Sequence, residues 1–264
     1  MPFKLLDFNG CEIKFSDLEN KQFWCSYGES QEKAFITALN KLKNKQYISD
    51  DIEVEIHPDK SVNKYSPDLL INKNITGELK TKNSPLFQAM IRYGIDPQFA
   101  LTMDLKDSFN YQKFLENGID ITIFIWVKWE AHKMITWYNS NNTSPTNEYS
   151  VNLLAGIWKT KFSTLRRFEK ESPPPIHWYK NNDRQPTTYT LDNSSDEYWI
   201  NQLLNFEERL ESNSIVKNIT SNGYLKCHDG ITRPSGNSSA SYVFDLSNEN
   251  LFEEVWSNHR PNAK

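Results

Sequence analysis

The hydrophobic positions of this chain change period several times, and each change marks an element. Over 29–45, "ESQEKAFITALNKLKNK", Ala34, Phe35, Ala38, Leu39 and Leu42 recur at helical spacing. Lys41, Lys43 and Lys45 crowd the end of that stretch, where cations favour the helix dipole, and Ser30 stands where an N-cap would. In "DIEVEIH" (51–57) the period falls to two, with Ile52, Val54 and Ile56 on one face and Glu53, Glu55 and His57 on the other. That alternation predicts a half-buried strand ended by Pro58. Two β-prone runs follow, "DLLI" and "ITGELKT", around Asn72, Lys73 and Asn74, and read as a hairpin. "PLFQAMIRYG" (85–94) reads as a helix with Pro85 in its first turn and Gly94 past its end. A strand over 99–105, a short helix over 108–118 and a central strand over 120–130 complete an α/β pattern.

Further along, "NLLAGIWKTKFSTLRRFEK" (152–170) predicts an amphipathic helix with Leu154, Trp158, Phe162 and Leu165 in one stripe, stopped by Pro173, Pro174 and Pro175. A second helix is predicted over 195–211, with a capping box between Ser194 and Glu197. "ASYVFDL" (240–246) reads as a strand and "NLFEEVW" (250–256) as a terminal helix. The polar stretch 138–150 is a candidate boundary. The expected organisation is a core over 1–137 and a mainly helical C-terminal region over 138–264, the two either separate or integral to one domain.

Composition narrows the function classes. With 30 basic and 34 acidic residues the chain is no polycation, so any nucleic-acid contact needs a local basic patch. Cys11, Cys25 and Cys227 lie far apart without metal spacing, which fits reduced thiols in a cytoplasmic protein. The longest apolar run, 121–127, suits a buried strand and is far too short for a membrane span, and the N-terminus lacks a signal-peptide core.

The hairpin carries the chemistry. Along a strand, Glu78 and Lys80 share one face and Leu79 takes the other. Pairing of the two runs can bring Asp68 beside Glu78, and two adjacent carboxylates repel unless a cation lies between them. Oxygen ligands with no His or Cys beside them suit Mg²⁺, which is commonly completed by water and substrate phosphate. Lys80 on the same face can stabilise charge on a scissile phosphate or orient water, so the set is suited to metal-assisted phosphodiester hydrolysis. Similar acid-x-Lys triplets at Glu12–Lys14, Glu19–Lys21 and Asp104–Lys106, and a second Pro-Asp at Pro58–Asp59, lack this hairpin context.

Pro67-Asp68 followed by Glu78-Leu79-Lys80 resembles the PD-(D/E)XK nuclease superfamily, which includes many type II restriction endonucleases. The resemblance covers roughly the first half of the chain. It implies a restriction-endonuclease-like core, a central mixed sheet flanked by helices. It also implies a metal-binding set of Asp68, Glu78 and Leu79, with Lys80 assisting the attacking water. A metal-linked acid in the first helix is matched by Glu32. Gln88 and Tyr93 look similar to a pair found in an exonuclease-like branch, but their spacing of five departs from that branch's four, so the branch is not assigned. His57 reads as a strand-end histidine held in the turn before Pro58, with a place at the metal site as the alternative. Glu53 and Glu55 read as a solvated face, with a place for one of them, such as Glu55, at the metal site as the alternative.

For substrate grip, residues 159–184 hold Lys159, Lys161, Arg166, Arg167, Lys170, Lys180 and Arg184 against Glu169, Glu171 and Asp183, a local positive excess in an acidic chain. Arg166, Arg167, Lys170, Lys180 and Arg184 are therefore candidate DNA contacts, a solvated helix face being the rival reading. The resulting expectation is a Mg²⁺-dependent endonuclease (Mn²⁺ substituting) that cuts double-stranded DNA at a specific sequence, as a homodimer. The alternatives are a structure-specific repair nuclease, a metal-dependent RNA endonuclease, and a nucleic-acid-binding protein without catalysis.

Overall fold

The structure, a computed structural model, describes residues 3–13, 21–63, 66–139, 144–178 and 240–259, together with short strands at 216–219, 224–227 and 232–234. The first half runs β1 (Phe3–Leu6), α1 (Lys21–Asn44), β2 (Val54–Ile56), a 3₁₀ turn (Pro58–Ser61), β3 (Leu69–Ile71), β4 (Ile75–Lys82), α2 (Ala89–Tyr93), β5 (Ala100–Asp104), α3 (Leu105–Glu116), β6 (Thr122–Lys128) and β7 (Lys133–Thr136). The second half runs β8 (Asn147–Ser150), β9 (Ala155–Lys161), α4 (Phe162–Glu171), β10 (Ile176–Trp178), β11 (Val216–Ile219), β12 (Tyr224–Cys227), β13 (Thr232–Pro234), β14 (Ala240–Asp245) and β15 (Glu253–Ser257).

The centre is a mixed six-stranded sheet in the order β15-β9-β6-β4-β3-β2, flanked by helices. β4 and β6 run parallel and every other pair is antiparallel. Alternation along β6 divides the core. Ile123, Ile125 and Val127 join Trp158, Leu105, Tyr111, Phe162 and Leu165 on one face, while Phe124 joins Leu79, Leu69, Ile71 and Ile157 on the other, under Phe35 and Leu39 of α1. β5 pairs with β14, and β14 with β10, as a second small sheet beside the first of these cores. Among the described residues no helix is long and apolar enough to cross a membrane.

The hairpin of β3 and β4 forms as its residues dictate. Asn72 and Lys73 both take positive φ (47° and 64°), the hairpin-turn conformation that Asn tolerates well. The Asn72 side chain accepts the Glu53 N–H at 2.8 Å, tying the turn back to β2.

Several expectations are corrected. The stretch 152–170 is not one helix: residues 155–161 form β9, and α4 begins only at Phe162. As a sheet strand the stretch buries Ile157 on one face and Trp158 on the other, so its apolar residues were never a single stripe. Gly156 fits the strand as well, since a Cβ there would stand 2.6 Å from the Trp158 ring. "NLFEEVW" likewise supplies the edge strand β15, paired with β9, rather than a helix. The helix in 85–94 is confined to Ala89–Tyr93, and α1 starts at Lys21, so Ser30 lies inside it and caps nothing at its N-terminus. Among the described residues the C-terminal region holds one helix and eight strands, not mainly helices, and the helix expected over 195–211 lies outside them. Residue 138 does not divide the sheet, because β9 and β15 hydrogen-bond into the same six strands as β4 and β6.

Candidate carboxylate and lysine site

β4 outlasts its neighbour. The β3–β4 pairing ends at Leu69 opposite Gly77, while β4 continues to Lys82 along β6. This leaves a notch at the edge of β4, where backbone donors need other partners. Asp68, the residue before β3, fills it: its Oδ2 accepts the Leu79 N–H at 3.1 Å, and its own N–H donates to Glu78 Oε2 at 3.4 Å. The two carboxylates are thereby interlocked across the hairpin.

Two further elements converge there. α1 brings Glu32, whose side chain is 11% exposed. The 3₁₀ turn brings Lys60, whose Nζ donates to both Glu32 Oε1 and Asp68 Oδ1. On the far side of Glu78, α3 brings Asp107 and Tyr111, four residues apart on one helix face. The Tyr111 hydroxyl donates to Glu78 Oε1 at 2.8 Å. Lys80 Nζ lies 3.3 Å from the same oxygen, 2.7 Å from Asp107 Oδ2 and over the Tyr111 ring. Behind it on the same face, Lys82 donates to Thr102 Oγ1 at 3.0 Å.

The electrostatics follow from this crowding. Burial drives the Glu32 carboxyl up to about 7, against its hydrogen bond from Lys60 and with help from the Asp68 charge. One ammonium cannot neutralise two desolvated carboxylates. Burial works against the Lys60 charge, but its hydrogen bonds to Asp68 and Glu32 and their negative charge together hold it above its ordinary value. Burial also raises Glu78, opposed by Lys80 and reinforced by Asp68. For Lys80, burial opposes the charge, yet Tyr111, Asp107 and Glu78 together hold it firmly protonated. Four acids, Glu32, Asp68, Glu78 and Asp107, stand among Lys60, Lys80 and Lys82, and the raised pKa of Glu32 and Glu78 lets bound protons take up part of the negative charge. The acids' donors are oxygens alone, the chemistry that suits Mg²⁺. As arranged, no three of the described acidic or His/Cys side chains converge to chelate an ion: Lys60 stands between Glu32 and Asp68.

Asp68, Glu78, Lys80 and Glu32 are thus brought together. Leu79 contributes only main chain, its side chain being in the α1 core. His57 stays in the turn: its Nδ1 accepts the Asp59 N–H at 3.3 Å, and its backbone N–H donates to the Asp68 carbonyl at 3.0 Å. Glu53 and Glu55 are exposed. Tyr93 is engaged elsewhere, its hydroxyl 2.8 Å from His177 Nδ1. Sequence reasoning missed Lys60, Asp107 and Tyr111. The signal for Lys60 was the second Pro-Asp, which it directly follows; for the other two it was the four-residue spacing just after β5.

Of the candidate DNA contacts, Arg167 and Lys170 are exposed on α4, and Lys180 and Arg184 lie outside the described residues. Arg166 is corrected to an interior residue, 4% exposed, because α4 packs its Arg166 face on α3. Its Nη1 donates to Glu169 Oε2 at 2.8 Å and its Nε to Gln112, while Ser108 donates to the same Glu169 carboxylate at 2.7 Å. Arg166→Met should lower stability by about 3–5 kcal/mol in urea denaturation, because it strands a buried carboxylate. Arg167→Ala should stay within about 0.5 kcal/mol of the parent. A loss below about 1 kcal/mol for Arg166→Met would contradict this assignment.

No protein-family model matches the chain, and no curated protein or solved structure is significantly similar to it.

Proposed function

We propose that this protein is a Mg²⁺-dependent endonuclease that hydrolyses DNA phosphodiester bonds in the manner of a type II restriction enzyme, with Mn²⁺ able to substitute. The observation that carries the reading is the interlock of Asp68 with Glu78 in the notch beside β4, with Lys80 two residues along on the Glu78 face. The fold reading goes with it: the β3–β4 hairpin, β6 and their flanking helices form a restriction-endonuclease-like core.

In this reading Glu32, Asp68, Glu78 and the Leu79 carbonyl hold the metal. Held by these residues, a divalent ion would supply Lewis-acid charge at the scissile phosphate and a more acidic bound water. The chain does the rest. Asp68 is kept in place by the Leu79 N–H, and Glu78 by the Tyr111 hydroxyl. Lys80, held protonated and fixed by Asp107, faces the charge that develops on the phosphate and orients the attacking water. Arg167 and Lys170 are the exposed cations of α4 available to grip the backbone. A symmetric homodimer presents two such sites to the two strands of a duplex.

The substrate class is tested by incubating the protein with Mg²⁺ and either supercoiled plasmid or single-stranded RNA, then mapping the ends. Plasmid fragments with defined ends and intact RNA are expected. Preferential cleavage of the RNA would overturn the substrate assignment. Calorimetry showing no Mg²⁺ or Mn²⁺ binding would favour a nucleic-acid-binding protein without catalysis.

A further inference from the structure

Lys60 was not among the residues that the hairpin singled out, yet it contacts two of the site's carboxylates. Its Nζ bridges Glu32 Oε1 and Asp68 Oδ1, with all three side chains 11–16% exposed. The turn that carries it is anchored at both ends of this arrangement. His57 caps the turn, and the His57 N–H binds the carbonyl of Asp68, the residue whose carboxylate Lys60 also holds. The turn that carries Lys60 is therefore pinned to Asp68 through His57, whose carbonyl accepts the Lys60 N–H.

The consequence concerns the oxygens of Asp68. Oδ2 is taken by the Leu79 N–H, and Oδ1 by Lys60. Glu32, which would share an ion with Asp68, lies against it and is bridged to it by the same ammonium. A divalent cation that uses Glu32 and Asp68 together must enter where this ammonium stands. Without some cation there, two partly desolvated carboxylates would face each other unscreened.

We infer that Lys60 is the resident counter-ion of the carboxylate site: its ammonium holds Glu32 and Asp68 together in the metal-free protein and competes directly with the divalent cation. The inference rests on the metal-site reading above and deepens it. Metal entry is an exchange of one cation for another, so the affinity is weaker than the ligand set alone would give. Removing the ammonium leaves an uncompensated acidic pair that a divalent ion then satisfies. Lys60 acts here as a positioning residue, and a purely structural lysine would not oppose metal binding.

The test is calorimetric titration of Mn²⁺ into the full-length parent, Lys60→Met, Lys60→Gln and Asp68→Asn, with melting temperatures taken with and without Mn²⁺. The parent should bind Mn²⁺, and Asp68→Asn should lose that binding. Both Lys60 variants should bind roughly tenfold more tightly or better, the size expected from relieving one partly buried charge contact. Their metal-free melting temperatures should fall, and Mn²⁺ should raise them by more than it raises the parent's. Lys60→Gln keeps a hydrogen-bond donor and guards against misfolding of the Met variant. Parent binding that depends on Asp68, with Lys60 variants no tighter than the parent, would overturn the inference and leave the metal site standing. Absence of Mn²⁺ binding in every protein would overturn both.

Discussion

Asp68→Asn should abolish plasmid cleavage, by roughly 10³-fold or more, while leaving the protein folded. In the proposed mechanism the lost charge is a metal ligand that supplies several kcal/mol at the phosphate, where each 1.36 kcal/mol is about tenfold in rate. Asn is the informative replacement because its amide oxygen can still accept the Leu79 N–H that Asp68 Oδ2 accepts at 3.1 Å. The hairpin edge therefore keeps its partner while the charge is lost. Asp68→Ala would lose both, and the stranded N–H and Lys60 ammonium would cost a further ~1–3 kcal/mol of stability. Cleavage rate and urea midpoint measured on both variants separate the two roles. Full cleavage by Asp68→Asn would remove Asp68 from the chemistry.

Lys80→Met should reduce cleavage by roughly 10²–10³-fold, the usual effect of removing one group that stabilises developing charge. Its second signature separates it from Asp68: divalent-ion binding should persist and strengthen. Lys80 lies 3.3 Å from Glu78 and 2.7 Å from Asp107, so its removal takes positive charge away from the proposed cation site. Calorimetry with Mn²⁺ together with a cleavage time course reads both. Loss of metal binding together with cleavage would mean that Lys80 holds the site's shape rather than acting on the phosphate. Lys80→Arg should not restore the rate, because a guanidinium is larger, planar and differently hydrated.

Much of the site was legible because it is local. Asp68, Glu78 and Lys80 fall within one hairpin, whose alternation and Asn-rich turn read directly from the chain, and pairing along 13 residues brings them together. Lys60 was illegible for the opposite reason. Its partners lie 28 and 8 residues away, and only the pinning of its turn to Asp68 brings it in. Tyr111 likewise reaches Glu78, and Asp107 reaches Lys80, because α3 starts directly where β5 ends.

The fold divided along similar lines. β6 announced itself as a continuous apolar run. β9 did not, because a central strand covered on both faces shows no clean alternation. Leu154, Trp158, Phe162 and Leu165 happen to fall at helical intervals across a strand–helix junction at Lys161 and Phe162. Arg166 misled for a related reason: a charged helix face reads as solvated until another helix covers it. Here Ser108 and Gln112 of α3 meet Arg166 and Glu169.

The central claim is that the notch beside β4 is a divalent-metal nuclease centre. It is tested most directly by treating supercoiled plasmid with the purified full-length protein in Mg²⁺, and in parallel with EDTA added first. Conversion to fragments with defined ends is expected in Mg²⁺, and no conversion in EDTA. Cleavage that survives EDTA would contradict the claim.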